Sequence, residues 1–510
     1  MSRCRFLCAL FISLVCLPPA GLPARAASPS STRGGLRLET SVTYTANLVH
    51  WVDNLAGTSV GKTMPSYRAV WRARFGAPSE ADLQALRAFA RLRRAPVATR
   101  GRVENEAGCL PVESDAMSWH QRFLAEAMQA SSVEDLAGAL FPGAPADRDA
   151  LVTSLAHFEP QFRQVWQDLG HVRAFDERFH KFLDQGGLPG YLDALAAFFD
   201  VDARSAPPMK ISFIGLPVDG PTHAEADGDH LLVEIRPDDS PEAQIQVVSH
   251  EASHFLMRRM GAARTDALAS EALARGEAGA LVWRFMWEGI PTVLGQGLAE
   301  ARLIPDRFSP DQPWYHIASI DRFAKLIYPE VAEAVAAGRT LDGPLMARMT
   351  RVVEGSSLFT KASPAQFLMS SFFVVGERLD LTGQALQRRL GLSAGSPASR
   401  LALNDPLLID LLRRYRCLPG VMLLSGEELG KAAGLDGGLS LSARAVRQAK
   451  ERAGRGDGAI LAGRRSGGGP VFVLVAPDAD HATPVLEKFL SLEGIPSGVV
   501  SVPISRAPGR

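Results

Sequence analysis

His250 and His254 stand four positions apart in "VVSHEASHFLM" (247–257), with Glu251 directly after the first. On an α-helix, residues four apart share a face and lie one turn apart, so the two imidazoles can offer nitrogens to one ion. Zinc accepts nitrogen ligands at about 2.0–2.1 Å in a tetrahedral set. Glu251 lies about 100° around the helix from His250. That is too far round to complete the ligand set, but close enough to reach a water on the ion. The expected chemistry is hydrolytic: Zn2+ acidifies water, Glu251 takes the proton, and the nucleophile attacks a carbonyl. The alternative is a structural helix that happens to carry two imidazoles.

Catalytic zinc takes three protein ligands and a water. The downstream candidates are Glu271, Glu277, Glu288 and Glu300. "LVWRFMWEGIPTVLGQGLAEARL" (281–303) bears on the choice, because Leu281–Trp287 is almost wholly apolar. Glu288 therefore enters a buried setting, which is costly for a carboxylate without a partner. A metal would be that partner. Glu271 and Glu277 fall in "SEALARGEAGA", which reads as an exposed connection. Glu288 is the expected third ligand, with Glu271 and Glu300 as the alternatives. An electrophile for a tetrahedral oxyanion is also needed. Tyr315 and His316 are adjacent in "WYHIASIDRFAKLIYP" (314–329), and Tyr328 is a further option. His223 and His230 flank a pair of strand-like runs as loop residues. The other histidines, at 50, 120, 157, 171, 180 and 481, do not cluster.

The elements that must hold these residues follow from pattern. "DDSPEAQIQVVSHEASHFLMRRM" reads as a helix: Ser240 can cap it, Pro241 suits its first position and Glu242 favours its positive end. Two strand-like runs precede it, "MKISFIGLPV" and "HLLVEIRP", separated by the turn-rich "DGPTHAEADGD". From Leu36 to Asp200 the periodicity is helical, as in "SEADLQALRAFARLRR", and "ARSAPP" (203–208) breaks it. Helices should continue to about Leu403. The last hundred residues then alternate short buried strands, "GVMLLSG", "GAILAG", "PVFVLVAP" and "SGVVSVPI", with the helical "ATPVLEKFLSLEG". The predicted fold class is α+β, mainly α-helical, with a small C-terminal α/β unit. Its expected organisation is a leader over 1–26, a helical region over 27–205, a catalytic domain over 206–405 and the α/β unit over 406–510.

The chain has 510 residues, 46% apolar and 22% charged, with formal net charge zero. This is ordinary globular composition, and nothing in it points to nucleic acid. "MSRCRFLCALFISLVCLPPAGLPARAAS" has early arginines, an apolar run from Phe6 to Leu17 and small residues around Ala26. That is the pattern of a secretory signal peptide, with an apolar run too short to span a bilayer. An exported protein, periplasmic or extracellular, is expected, with no stable membrane span after cleavage. Cleavage removes Arg3, Arg5 and Arg25, and leaves Cys109 and Cys417 as the remaining cysteines. They could form one disulfide or stay as two buried thiols. "GTSVGKT" (57–63) approaches a phosphate-binding loop, but has three residues where that motif needs four, and follows a helical pattern.

"HEASH", followed on a later helix by "WEGIPTVLGQG", resembles the gluzincins, the HExxH metallopeptidases with a glutamate as third ligand. It is more closely similar to exported bacterial zinc-dependent peptidases whose second helix reads E-x-x-x-x-x-x-G-[NQ]-G before an aromatic segment. The resemblance covers roughly residues 205–350. It implies a zincin-like catalytic domain with His250, His254 and Glu288 as ligands and Glu251 as base. It also implies that "HLLVEIRP" is the edge strand along which extended substrate lies. The 34 positions between His254 and Glu288 are more than in the best-known gluzincins, and Thr292 stands where many have an acid. The expected function is an exported zinc metallopeptidase acting on peptide or protein substrates. A catalytically silent zincin-like binding or scaffold protein, or a zinc hydrolase of a non-peptide amide or ester, are the alternatives.

Overall fold

The computed structural model describes residues 35–356 except 60–62, 94–118, 186 and 219. Beyond that it describes 372–376, 379, 403, 406–414, 419–435, 439–465, 470–494, 496 and 498–504. The expected signal peptide, Cys109 and Cys417 lie outside these residues. Among the described residues, no helix is long and apolar enough to cross a membrane. The fold is α+β and mainly helical.

Strand β1 (Leu38–Ser41) is followed by helices α1 (Tyr44–Ala56), α2 (Met64–Phe75), α3 (Glu80–Arg93), α4 (Trp119–Gln129), α5 (Val133–Leu140), α6 (Pro145–Asp168), α7 (Gly170–Gln185) and α8 (Leu188–Phe199). Next come β2 (Met209–Gly215), β3 (Ala224–Asp227) and β4 (His230–Ile235). These strands form one sheet in the order β1-β2-β4-β3. β1 and β2 run parallel, as do β2 and β4, while β3 is antiparallel to β4.

Parallel strands bury both faces, and side chains alternate between them. One face carries Ile211, Phe213, Leu231, Val233 and Ile235 into the main core. There Phe175 and Phe179 of α7 meet Phe213 edge-on, at 5.0 and 5.2 Å between ring centres. On the other face, Ile214 and Leu232 pack with Ala46 of α1 and with Leu124 and Met128 of α4.

The same outer face takes Glu234, which is fully buried. Burying a carboxylate is costly unless its oxygens are matched. Here His50 Nε2 (2.7 Å), the Thr63 hydroxyl (2.9 Å), the Tyr67 hydroxyl (3.1 Å) and the His223 backbone N–H (2.8 Å) surround it. Thr63, the last residue of the phosphate-loop lookalike, thus serves a buried acid. His230 has the opposite situation: it is buried, and neither ring nitrogen has a hydrogen-bond partner.

Burial, helped by Lys210 and opposed by Asp229, lowers the His230 pKa from 6.5 to about 4. Between those values the unfolded chain binds a proton that the folded chain refuses, so stability is lost as pH falls through that window. His230→Leu should therefore flatten the pH dependence of unfolding free energy between about 4 and 6.5, removing a loss on the order of 3 kcal/mol. Identical slopes for variant and wild type would show that His230 is not the group responsible.

Two expectations are corrected here. "HLLVEIRP" is not an edge: β4 lies between β2 and β3, and the edge strand is β3, inside the segment read as turn-rich. The helical region over 27–205 also supplies a strand, β1, at the opposite edge.

Downstream of the sheet lie α9 (Pro241–Met257), α10 (Ala262–Ala274) and α11 (Gly276–Thr292). α11 runs without a break into a π-helical turn (Val293–Ala299) and α12 (Glu300–Leu303). α13 (Ala318–Ala336) and α14 (Gly343–Glu354) follow. Within the stretch expected to be helical as far as Leu403, residues 372–375 instead form a strand, β5 (Phe372–Val375). β5 pairs with β6 (Gly420–Ser425) in a second sheet, ordered β10-β8-β9-β6-β5, with β7 (Leu439–Ser440) against β8. β8 (Gly458–Arg465), β9 (Pro470–Ala476) and β10 (Val500–Val502) fall on the expected runs, as does the helix Ala482–Leu490. The sheet therefore draws a strand from upstream of residue 406.

Candidate metal centre

α9 starts as its sequence implies. The Ser240 hydroxyl accepts the Ala243 N–H at 3.3 Å, and Pro241 occupies the first turn, where its missing N–H costs nothing. The helix is buried on most sides, by Ile245, Val248, Ala252, Phe255 and Leu256. His250 and His254 leave it on one face, their rings 4.9 Å apart.

Glu288 comes from the last turn of α11. Its neighbour Gly289 lets α13 close in, since a Cβ there would lie 2.3 Å from the Phe323 ring. Three ligand atoms converge. His250 Nε2 and His254 Nε2 are 3.2 Å apart, and each is 3.5 Å from Glu288 Oε2. Ligands at about 2.0–2.1 Å from a tetrahedral zinc lie about 3.3–3.4 Å from one another. The triangle has that size, so this donor set could hold a metal ion. Among the described residues it is the group of histidine, cysteine and acidic side chains placed to hold an ion. The Glu288 side chain is 30% exposed, which leaves the site an approach from solvent.

The electrostatics are those of a compact charge cluster. Burial opposes ionisation of Glu288, but the two imidazoles outweigh it and hold the carboxyl well below the usual range. Burial likewise opposes charge on His254, and Glu288 and Glu251 outweigh it and raise that pKa. Glu251 is itself buried. Its charge contributes to raising the pKa of His254, His223 and Tyr315.

Tyr315 is brought to the site. The Tyr315 ring stacks on His250 (5.9 Å between centres, 13° between planes), and its hydroxyl donates to Glu288 Oε2 at 3.1 Å. Burial, with the charges of Glu288 and Glu251, pushes the phenol well up, so it remains a neutral donor. Asp321 of α13 fixes this loop by accepting the backbone N–H groups of Trp314 (2.5 Å) and Tyr315 (3.2 Å). His316 is exposed, with its ring against Tyr315. Tyr328 packs on Trp314 and Phe308.

Glu271 and Glu300 stand elsewhere. Glu271 pairs with Arg275, Glu300 is buried with Gln312 at 3.4 Å, and nothing is described of the Glu277 side chain. Thr292 is buried and its hydroxyl donates to the Glu288 carbonyl at 2.7 Å, so it does not reach a ligand side chain.

Two groups were given no role from the sequence. Gln296, in the π-helical turn, puts Oε1 3.3 Å from His250 Nδ1. The "GQG" at 295–297 was its only local signal. The second group is the row His120–Glu225–His223. Glu225 Oε2 is 2.8 Å from His223 Nε2, and Oε1 is 3.6 Å from His120 Nε2. Burial opposes charge on both partners of the closer pair, yet the pairing raises the pKa of His223 and holds Glu225 well below the usual range.

Of this row, Glu225 lies on edge strand β3, His223 just before it and His120 on α4. The Glu234 N–H donates to the His223 carbonyl at 3.0 Å. Hydrogen-bonded pairs alternate along an antiparallel ladder, so Ala224 and Ala226 turn their backbone groups outward. Arg258 at the end of α9 takes the Ala226 carbonyl at 2.7 Å, which leaves the outward groups of Ala224 beside the helix that carries the histidines. Compared with known proteins, the chain matches no family model, no curated protein and no solved structure.

Proposed function

We propose that this chain is an exported zinc-dependent metallopeptidase. The observation that carries the reading is the near-equilateral triangle of His250, His254 and Glu288, with a buried acid, Glu251, beside it. His250, His254 and Glu288 would hold the metal. When bound, zinc supplies Lewis acidity, lowering the pKa of water and polarising a carbonyl.

The rest of the work falls to this chain's residues. Glu251 takes a proton from the attacking water and passes it to the leaving amine. Tyr315, a neutral donor already at the ligand set, gives a hydrogen bond to the oxyanion that develops. An extended peptide adds to the free edge of β3 at Ala224, with backbone hydrogen bonds supplying affinity without side-chain selectivity.

The test is metal analysis followed by incubation with a peptide library. Purified protein should carry about one zinc per chain and cleave peptides, and a chelator should stop cleavage until zinc is restored. The His250→Ala/His254→Ala double variant should carry none. Full metal retention in that variant would sink the site assignment. Cleavage of non-peptide amides or esters alone would move the reading to that class of hydrolase. A zinc-loaded protein that cleaves nothing would be a binding or scaffold protein.

A further inference from the structure

Helix α11 does not keep its pitch. Pro291 lacks the N–H that would close an α-helical bond to residue 287, and the chain widens into the π-helical turn Val293–Ala299. Such turns are rare and concentrate at functional sites. The widening has a geometric result. Gln296 is eight positions after Glu288, and eight steps of 100° would set it about 80° round the helix from Glu288. A π turn rotates less per residue, so Gln296 is carried back toward the face of Glu288. Both side chains meet His250, Glu288 at Nε2 (3.5 Å) and Gln296 at Nδ1 (3.3 Å).

The flanking glycines let the turn sit where it does. A Cβ on Gly295 would lie 2.5 Å from the Gln246 carbonyl oxygen and 2.9 Å from His250 Cβ. One on Gly297 would lie 2.9 Å from the Tyr328 ring and 3.1 Å from Trp314. The turn is thus gripped between α9 and the Trp314–Tyr328 pair, with Gln296 as the polar side chain between two glycines.

We propose that Gln296 is a positioning residue for His250 and that the π-helical turn exists to deliver it; this rests on the metal-centre reading. The amide oxygen facing Nδ1 places the ring hydrogen there. Nε2 is then left with its lone pair toward His254 Nε2 and Glu288 Oε2, the form a metal requires. An amide in this place holds the tautomer without adding a negative charge to a site that already has Glu251 and Glu288.

The test compares zinc affinity, by competition with a chromophoric chelator, in wild type, Gln296→Met and Gln296→Glu. The methionine variant keeps the volume and loses the acceptor, and should bind zinc about 10–100-fold more weakly. The glutamate variant still accepts the same N–H and should stay within a few-fold of wild type by the same argument. A second readout is the nitrogen spectrum of labelled histidine in the metal-free protein. His250 should carry its hydrogen on Nδ1 in wild type and become a tautomer mixture in Gln296→Met. A purely structural role would not move that signature, even if the variant melted lower. Zinc binding as tight as wild type, with an unchanged His250 spectrum, would overturn the proposal. Absence of zinc binding by wild type would instead remove the metal-centre reading, and this inference with it.

Discussion

Glu251→Gln is expected to slow peptide cleavage by on the order of a hundredfold or more while leaving zinc bound. The amide matches the carboxylate in shape, so a buried position tolerates it, but it cannot take a proton from water. Glu251 is one residue away from His250 on the helix, outside the triangle that the ligands form. Metal content should therefore be indifferent to the change, and the whole effect should fall on turnover. Peptide-library assays on both proteins, with zinc measured in each, separate the two quantities. Equal rates would refute the water-activation mechanism. Loss of zinc would mean that Glu251 belongs to the ligand set after all.

The second large effect is expected in stability. Asp53 of α1 receives two hydrogen bonds from Arg93 of α3, Nε at 2.8 Å and Nη2 at 2.7 Å, with both side chains at most 2% exposed. Burial opposes ionisation of Asp53, and Arg93 outweighs it and lowers the pKa. Arg93 also lies over the Phe123 ring and donates to the His120 carbonyl at 3.2 Å. It thereby joins α1, α3 and α4. Asp53→Ala leaves a guanidinium buried without its counter-charge, which should cost about 3–5 kcal/mol in denaturant unfolding. The double variant Asp53→Leu/Arg93→Met should recover much of that loss, because well-packed apolar side chains often replace a buried pair at little cost. A single variant that unfolds at the wild-type midpoint would show that the pair contributes nothing net.

What the sequence made legible divides by the range of the interactions involved. The start of α9 was readable because capping is local: Ser240, Pro241 and Glu242 act within one turn. The same holds for the runs that became β6, β8 and β9, whose continuous apolar stretches need no partner to be recognised. β3 was read as a turn because "AEAD" has low strand preference, and what makes it a strand is pairing to β4 with Glu225 held by His223 and His120. β1 is four residues long and its partner β2 begins about 170 positions later, beyond any local pattern. Of the residues considered for chemistry, His250, His254, Glu288 and Tyr315 meet in space. Gln296 was invisible to helical periodicity because a π turn breaks the period by which one face is read.

The sheet also decides what a cut in the chain could release. Arg204 and Ser205 lie exposed in the connection between α8 and β2, open to a protease. A nick there severs one peptide bond and no strand pairing: β1 stays laddered to β2, and Glu234 keeps His50, Thr63 and Tyr67 from the other fragment. The stretch before the break is therefore not a pro-segment that falls away when clipped. It is a partner that continues to satisfy a fully buried carboxylate, and pulling it off would leave β2 with a bare edge and Glu234 without three of its donors. If this protein is ever switched on by proteolysis, the released piece must come from elsewhere, or the nicked halves must do the work together.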